Sequence, residues 1–519
     1  MAVDEFDGTI RVVAADGTYI GNGVGGISTF RGIPFAEPPV GDLRFAAPVD
    51  VAHAGEVDAT RFGSISLQDI DPLPRAIAGA ENNFYAPGIT TSEDCLNLNV
   101  WTPDVAGSAP VLFWIHGGAF LYGSGTGPWA DGSRFARDHG IVVVSINYRL
   151  GLLGNLWLGD IDPTASDLGL QDQISALRWV QRNISSFGGD TAHITIAGQS
   201  AGAMSVAALM TAPDARGLFS GAIVESGHVS VARSVGDTVK TRERIFRELS
   251  IDPSGDVLSQ LRATSTLRIL QVQRELGIGI RAFPTVADDV VLPTDLLGAI
   301  RDGSAAGIDL MVGTTAEEDR LFTITGWSDE TATTESIVAG LLPGASAEEL
   351  DEAAALYRDL PGSDRDHQYL VNTDHGWAAP AREFAIAHSG AGNRVFHYEY
   401  ARRSTALDGR VGAAHLSDLP VFWGNLDAPG VSDLLGEEVL TDSTVQTLAR
   451  DMSGTIAQFV RTGSPDGGPL GSWPAFTPTD RETLVIDVES TVDRDHKADR
   501  LDFWSTRDLV PALSNVAVE

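Results

Sequence analysis

The stretch Gly198-Gln199-Ser200-Ala201-Gly202 sets the strictest condition on how this chain can fold. It follows the apolar run Ala192 to Ala197 and precedes the helical pattern Ala203 to Met210, so a buried strand must turn into a helix within five residues. At so sharp a turn the central serine takes a strained backbone conformation, and the residues two places to either side must approach without a Cβ. Gly198 and Gly202 meet that need. Such a nucleophile elbow holds the Ser200 hydroxyl clear of the backbone, beside the first amides of a helix, where negative charge is tolerated. Alone, the pentapeptide also describes an ordinary strand-to-helix turn in a chain with 56 glycines, so its surroundings decide.

Residues 9 to 30 alternate between turn glycines and read as a small antiparallel meander. Strands are predicted at Leu96 to Thr102, Val111 to Ile115 and Ile141 to Asn147, the last two as continuous apolar runs buried on both faces of a sheet. Asp172 to Asn183 carries a helical apolar stripe that stops at Phe187-Gly188-Gly189. Further strands are predicted at Gly221 to Glu225, Ile308 to Gly313, Arg394 to Tyr400 and Thr483 to Val488. Mostly helical segments are predicted at 230–300 and 331–388, and helices at Val445 to Arg461 and Leu501 to Leu509. Strands alternating with helices make this an α/β chain with a central, mostly parallel sheet flanked by helices. It reads as a single domain over 1–519, with cap-like helical insertions near 230–300 and 320–390 around the active site.

Composition narrows the function. A formal charge of -34 repels nucleic-acid phosphates and anionic lipid surfaces, so neither nucleic acid nor membrane is an expected partner. Only Lys240 and Lys497 are lysines, an arginine bias that fits a GC-rich bacterial genome or a salt-adapted surface. Met1 to Asp7 has no basic n-region or apolar h-region, and no run approaches a membrane span, so secretion by signal peptide is not expected. The single cysteine, Cys95, excludes an intramolecular disulfide and suits a reduced, cytoplasmic protein. Asp160-Ile161-Asp162 begins like a calcium loop but lacks the sixth-position glycine and the closing glutamate, Ala165 and Gln171 standing there. No metal or organic cofactor is expected, and a monomer is the default.

A serine hydroxyl needs a base to take its proton and a third group to orient that base. On a sheet carrying an elbow, the order along the chain is serine, acid, histidine. After the strand at 308–313 comes Thr314-Thr315-Ala316-Glu317-Glu318-Asp319, an acidic cluster at a strand's carboxyl end. Later, Gly412-Ala413-Ala414-His415 forms a small-residue loop before Asp418-Leu419-Pro420, and among eleven histidines His415 is best placed by chain order. Upstream, the strand Val111 to Ile115 ends in His116-Gly117-Gly118-Ala119-Phe120, a glycine-rich turn of the kind that offers backbone amides to a developing oxyanion.

With these motifs in order, the chain resembles the type-B carboxylesterase family within the α/β-hydrolase superfamily, which includes para-nitrobenzyl esterases and cholinesterases. The resemblance spans about residues 30 to 425. It is carried by Phe30 to Pro39 with Val40 to Phe45, Ser92 to Val100, the His116 turn, Asn147-Tyr148-Arg149, Gly169 to Gln173, Phe187 to Gly202, and the Glu318 and His415 segments. It implies Ser200 as nucleophile, His415 as general base and then acid, Glu318 as the orienting carboxylate, and the amides of Gly118, Ala119 and Ala201 as an oxyanion hole. It also implies ion pairs of Arg44 with Glu93 and Arg149 with Asp172, and a supporting role for Ser226.

Three contiguous acids leave Glu317 as an alternative orienter, although the family motif aligns Glu318. Asp319 stands where the family commonly has glycine, and Gln199 where it often has glutamate. No tryptophan precedes Trp101, which argues against a choline ester. The implied activity is hydrolysis of a small-molecule carboxylic ester through an acyl-enzyme. An amidase, carbamate hydrolase or thioesterase would use the same triad, and a non-catalytic binding protein on this fold is the remaining alternative. Aromatic and apolar residues of the pocket fall around Phe62 to Thr91, Phe283 to Val290 and Leu321 to Trp327, with no one of them singled out.

Overall fold

The computed structural model describes residues 8–51, 55–68, 85–230, 232–276, 285–325 and 331–507. Parts of the three pocket segments, residues 69–84, 283–284 and 326–327, lie outside these, as does the end of the helix expected to reach Leu509.

The strands of the main sheet are, in chain order, β1 (Gly8–Ala14), β2 (Gly17–Val24), β3 (Ile27–Pro34), β4 (Glu56–Asp58), β5 (Asn97–Thr102), β6 (Ala109–Ile115), β7 (Val142–Ile146), β8 (Gly189–Gln199), β9 (Gly221–Glu225), β10 (Asp309–Thr315), β11 (Val395–Tyr400), β12 (Thr483–Ile486) and β13 (Thr491–Asp493). They pair in the order β1-β2-β3-β5-β7-β6-β8-β9-β10-β11-β12-β13, with β4 beside β2. From β7 to β12 every pairing is parallel, whereas β1, β2, β3 and β5 form the antiparallel meander. The division follows from sequence. Every residue of β7, β9 and β11 is buried, as strands covered on both faces must be, while β1 alternates and leaves Val13 exposed at the sheet edge.

This mixed, mostly parallel sheet with flanking helices is the expected α/β-hydrolase architecture. The helix over Leu168–Asn183 starts a turn earlier than its apolar stripe, after Asp167 enters it at φ 45° and turns its carboxylate to the Val286 amide. Strand β12 ends at Ile486, two residues short of expectation, because the chain turns at Asp487 to bring β13 back antiparallel. The helical region after 331 comprises helices at Thr334–Leu341, Ala347–Arg358, Asp364–Thr373 and Ala379–Gly390. A single π turn, Asp374–Ala378, joins the last two.

Both implied ion pairs form. Arg149 and Asp172 are paired at 2.6 Å, nearly without solvent exposure, and the Asp172 carboxylate also accepts the Arg149 amide. Arg44 and Glu93 make a bidentate pair at the rim. Tyr19 packs edge to face on Trp179, Phe187 meets both at a tilt, and the three rings fix the meander to the 168–183 helix. The topology therefore brings the carboxyl ends of β6, β8, β9 and β10 side by side, at the sheet edge where open α/β folds place their sites.

Candidate active site

Ser200 lies between β8 and the helix Ala201–Leu209 at φ 57°, ψ -125°, a conformation costing an L-residue about 1–3 kcal/mol. Neighbouring backbone holds it there. Its amide donates to the Glu225 carbonyl of β9 at 2.9 Å. A Cβ on Gly202 would stand 2.0 Å from the Ile115 carbonyl oxygen, so only glycine lets the helix start this close to β6.

The turn after β6 packs directly on this elbow, a Cβ on Gly117 reaching within 3.2 Å of the Ser200 Cβ. Gly118 has φ 109°, and Ala119 and Phe120 follow at 59° and 60°. The Leu121 and Tyr122 amides both donate to the Gly118 carbonyl, and the Gly118 and Ala119 amides have no acceptor among the described residues. Ala201 opens its helix, so its amide has no intrahelical partner. His116 secures the turn. Burial pushes its imidazole down to about 4, so it stays neutral, bonds the Gly117 carbonyl at 2.8 Å and stacks on Tyr148, whose hydroxyl donates to the His116 carbonyl.

The adjacent acids part ways. Glu318, fully buried, accepts the Ser226 hydroxyl at 2.6 Å and the Thr315 amide at 2.7 Å on one oxygen, and meets His415 Nδ1 with the other. Glu317 instead pairs with Arg320 at 2.7 Å and Arg403 at 2.5 Å, and its second oxygen accepts the Ala413 amide. It is a clamp on the loop carrying His415. Asp319 binds Asn372 and Thr323.

His415 is buried against the stacked rings of Phe322 and Trp377, their centroids 5.1 and 4.8 Å from its own. Trp377 comes from the π turn, a feature that periodicity does not reveal. His415 Nε2 lies 3.1 Å from Gln199 Nε2, whereas Ser200 Oγ has no hydrogen-bond partner among the described residues. The structure thus gathers Ser200, Ala201, Gly118, Ala119, Glu318 and His415 at one sheet edge. It adds Gln199 as a direct neighbour of the imidazole.

Sequence reasoning also missed a buried acidic pair behind this site. Asp418, three residues past His415, is pushed up to about 7 by burial and the Glu318 charge. Glu225 is raised by burial and by Asp418, and neither of its carboxylate oxygens has a hydrogen-bond partner among the described residues. Asp418 accepts a long bond from the Tyr398 hydroxyl, at 3.5 Å.

Residues 10–504 match the family model described as the carboxylesterase family. The chain is 35% identical to the para-nitrobenzyl esterase of Bacillus subtilis (strain 168) over 485 residues, covering 92% of this chain and 94% of that protein. It is 33% identical to a phenmedipham hydrolase of Pseudarthrobacter oxydans, covering 89% and 92%, and 31% identical to a mouse cholinesterase, covering 92% and 83%. Among solved structures, a para-nitrobenzyl esterase superposes with a TM-score of 0.84 at 33% identity, over 95% of this chain and 99% of that one. A Geobacillus stearothermophilus carboxylesterase gives the same TM-score, identity and coverage. With a family match over nearly its whole length and relatives above 30% identity, this chain belongs to the carboxylesterase family and is a type-B enzyme of the α/β-hydrolase fold.

Proposed function

We propose that the enzyme hydrolyses small, uncharged carboxylic esters through a covalent acyl-enzyme, with Ser200 as nucleophile, His415 as base and then acid, and Glu318 as the orienting carboxylate. The observation that carries this reading is the convergence of a strained serine, two acceptor-free amides and a carboxylate-bound imidazole at one sheet edge. Glu318 fixes the proton on His415 Nδ1, so Nε2 carries the lone pair that takes the Ser200 proton as Oγ attacks the ester carbonyl. The tetrahedral oxyanion is stabilised by the amides of Gly118, Ala119 and Ala201. The imidazolium then protonates the leaving alcohol. Water activated by the same Nε2 attacks the acyl-enzyme and releases the acid.

Uncharged esters are favoured because the groups around the His415 imidazole are the neutral amide of Gln199 and the apolar rings of Phe322 and Trp377, while Glu318 is spent on His415 and Ser226. Chain 1–519 acts in this reading as one domain, with the helices between β9 and β10 and between β10 and β11 as its insertions. A reducing, cytoplasmic setting fits a lone Cys95 that is fully buried, its thiol pushed up to about 12.

The test is hydrolysis of para-nitrophenyl acetate, butyrate and octanoate by wild type and Ser200→Ala, with titration by an organophosphonate. Turnover that depends on Ser200, with one label per chain, is the expected result. Turnover retained in Ser200→Ala overturns the assignment.

A further inference from the structure

We infer that Gln199 is a positioning residue for the catalytic base: its side-chain amide donates to Nε2 of neutral His415, holding the imidazole in its proton-accepting form between turnovers. The inference rests on the proposed role of His415. Glu318 accepts at Nδ1, so that nitrogen carries the ring proton and Nε2 presents a lone pair. Only a donor can face a lone pair, and the group found there is the Gln199 NH₂, at 3.1 Å. Gln199 is itself buried and aimed by its place at the end of β8, one residue before the elbow, where it pairs in register with Glu225. Its carbonyl oxygen packs beside Gly117, where a Cβ would come within 3.1 Å of it. Gln199 also lines a cavity of about 20 Å³ with Trp114, His116, Ser124 and Leu416.

Two consequences follow from hydrogen-bond chemistry. A donor to Nε2 stabilises the neutral ring, and once Nε2 gains a proton the two N–H groups oppose each other until the amide rotates. Both effects extend activity toward acid. A glutamate at this position, by contrast, offers only acceptors and an added charge, and would favour the imidazolium. The charged and titratable groups that face His415 from elsewhere are Glu318 after β10, Asp418 in its own segment with Tyr398 of β11 and Glu225 of β9 behind it, and neutral His116 across the cavity. Phe322 and Trp377, stacked on each other, pack against one side of the ring. Among the described residues Gln199 is the hydrogen-bond partner at Nε2, so its replacement changes what that nitrogen meets in the resting site.

The experiment compares the pH dependence of kcat/KM for para-nitrophenyl butyrate among wild type, Gln199→Met and Gln199→Glu, each normalised by organophosphonate titration. Methionine keeps the volume and removes the donor, so its acid limb moves to higher pH by about half a unit; glutamate moves it by about one unit or more. A side chain that only fills space would lower kcat and leave the limb in place. Correctly labelled variants whose acid limbs coincide with that of wild type overturn this inference alone, and Gln199→Glu decides the matter if the methionine variant does not fold. A wild type that takes up no phosphonate and hydrolyses the ester independently of Ser200 overturns the catalytic reading, and the inference with it.

Discussion

Glu317 and Glu318 are consecutive, yet their carboxylates face opposite partners: Glu318 holds His415 and Ser226, and Glu317 holds Arg320, Arg403 and the Ala413 amide. Glu318→Gln should therefore disturb chemistry and Glu317→Gln the loop. The Ser226 hydroxyl and Thr315 amide would claim the one oxygen of an amide at 318 and turn its NH₂ toward Nδ1, forcing the wrong tautomer, so kcat is expected to fall by about three to four orders of magnitude with little change in melting temperature. For Glu317→Gln the expectation is a lower melting temperature and a kcat within about tenfold of wild type. Steady-state kinetics with thermal denaturation of both variants distinguishes these outcomes. The reverse pattern would make Glu317 the orienting acid.

The turn proposed as the oxyanion hole depends on one backbone angle. Gly118 sits at φ 109°, and a Cβ there would lie 2.1 Å from the Tyr122 carbonyl oxygen. Gly118→Ala must open the turn and misdirect two amides at once, and a drop in kcat of about 10²–10³ is expected, with Ser200 still present for slow labelling. Unchanged turnover would remove these amides from the transition state.

These contrasts show what could be read from the chain. The elbow and the glycine-rich turn after β6 were legible because each is a local requirement, in which a glycine must stand at a fixed offset from a buried strand. The parallel sheet was legible because strands covered on both faces are written as unbroken apolar runs. Adjacent acids were not separable, since their roles are set by Arg403 and His415, some 85 to 100 residues downstream. Gln199 gave no signal as a neighbour of the imidazole for the same reason. Trp377 was hidden because it reaches His415 through a π turn, whose one extra residue breaks the helical period on which sequence reading relies.

The buried pair of Arg149 and Asp172 carries structure rather than chemistry. Asp172 takes the Arg149 guanidinium and its amide, and the guanidinium also donates to the Ala46 carbonyl. Asp172→Ala leaves a buried cation without its counter-charge, so a loss of about 3–5 kcal/mol is expected in denaturant unfolding. The fraction that remains folded should label with phosphonate at the wild-type rate. A loss below about 1 kcal/mol, the scale of a surface pair, would contradict the role given to it here.

Asp418 and Glu225 should leave a mark on the pH dependence of stability. An acid whose folded value is raised holds its proton more tightly folded than unfolded, so its contribution is complete below the unfolded value and is lost as pH rises through the folded one. For Asp418 that window runs from its ordinary 3.8 to about 7, and Glu225 changes in the same direction. At about 1.4 kcal/mol per unit, the loss attributable to Asp418 reaches at most about 4 kcal/mol across the window. Asp418→Asn removes the titrating group and keeps an oxygen for the Tyr398 hydroxyl, so it escapes this loss. Measured against wild type, its melting temperature should be least favourable near pH 4 and rise steadily relative to wild type up to pH 7. A difference that stays constant over that range would mean that Asp418 is already ionised throughout, and that the three carboxylates behind His415 bear their charges together.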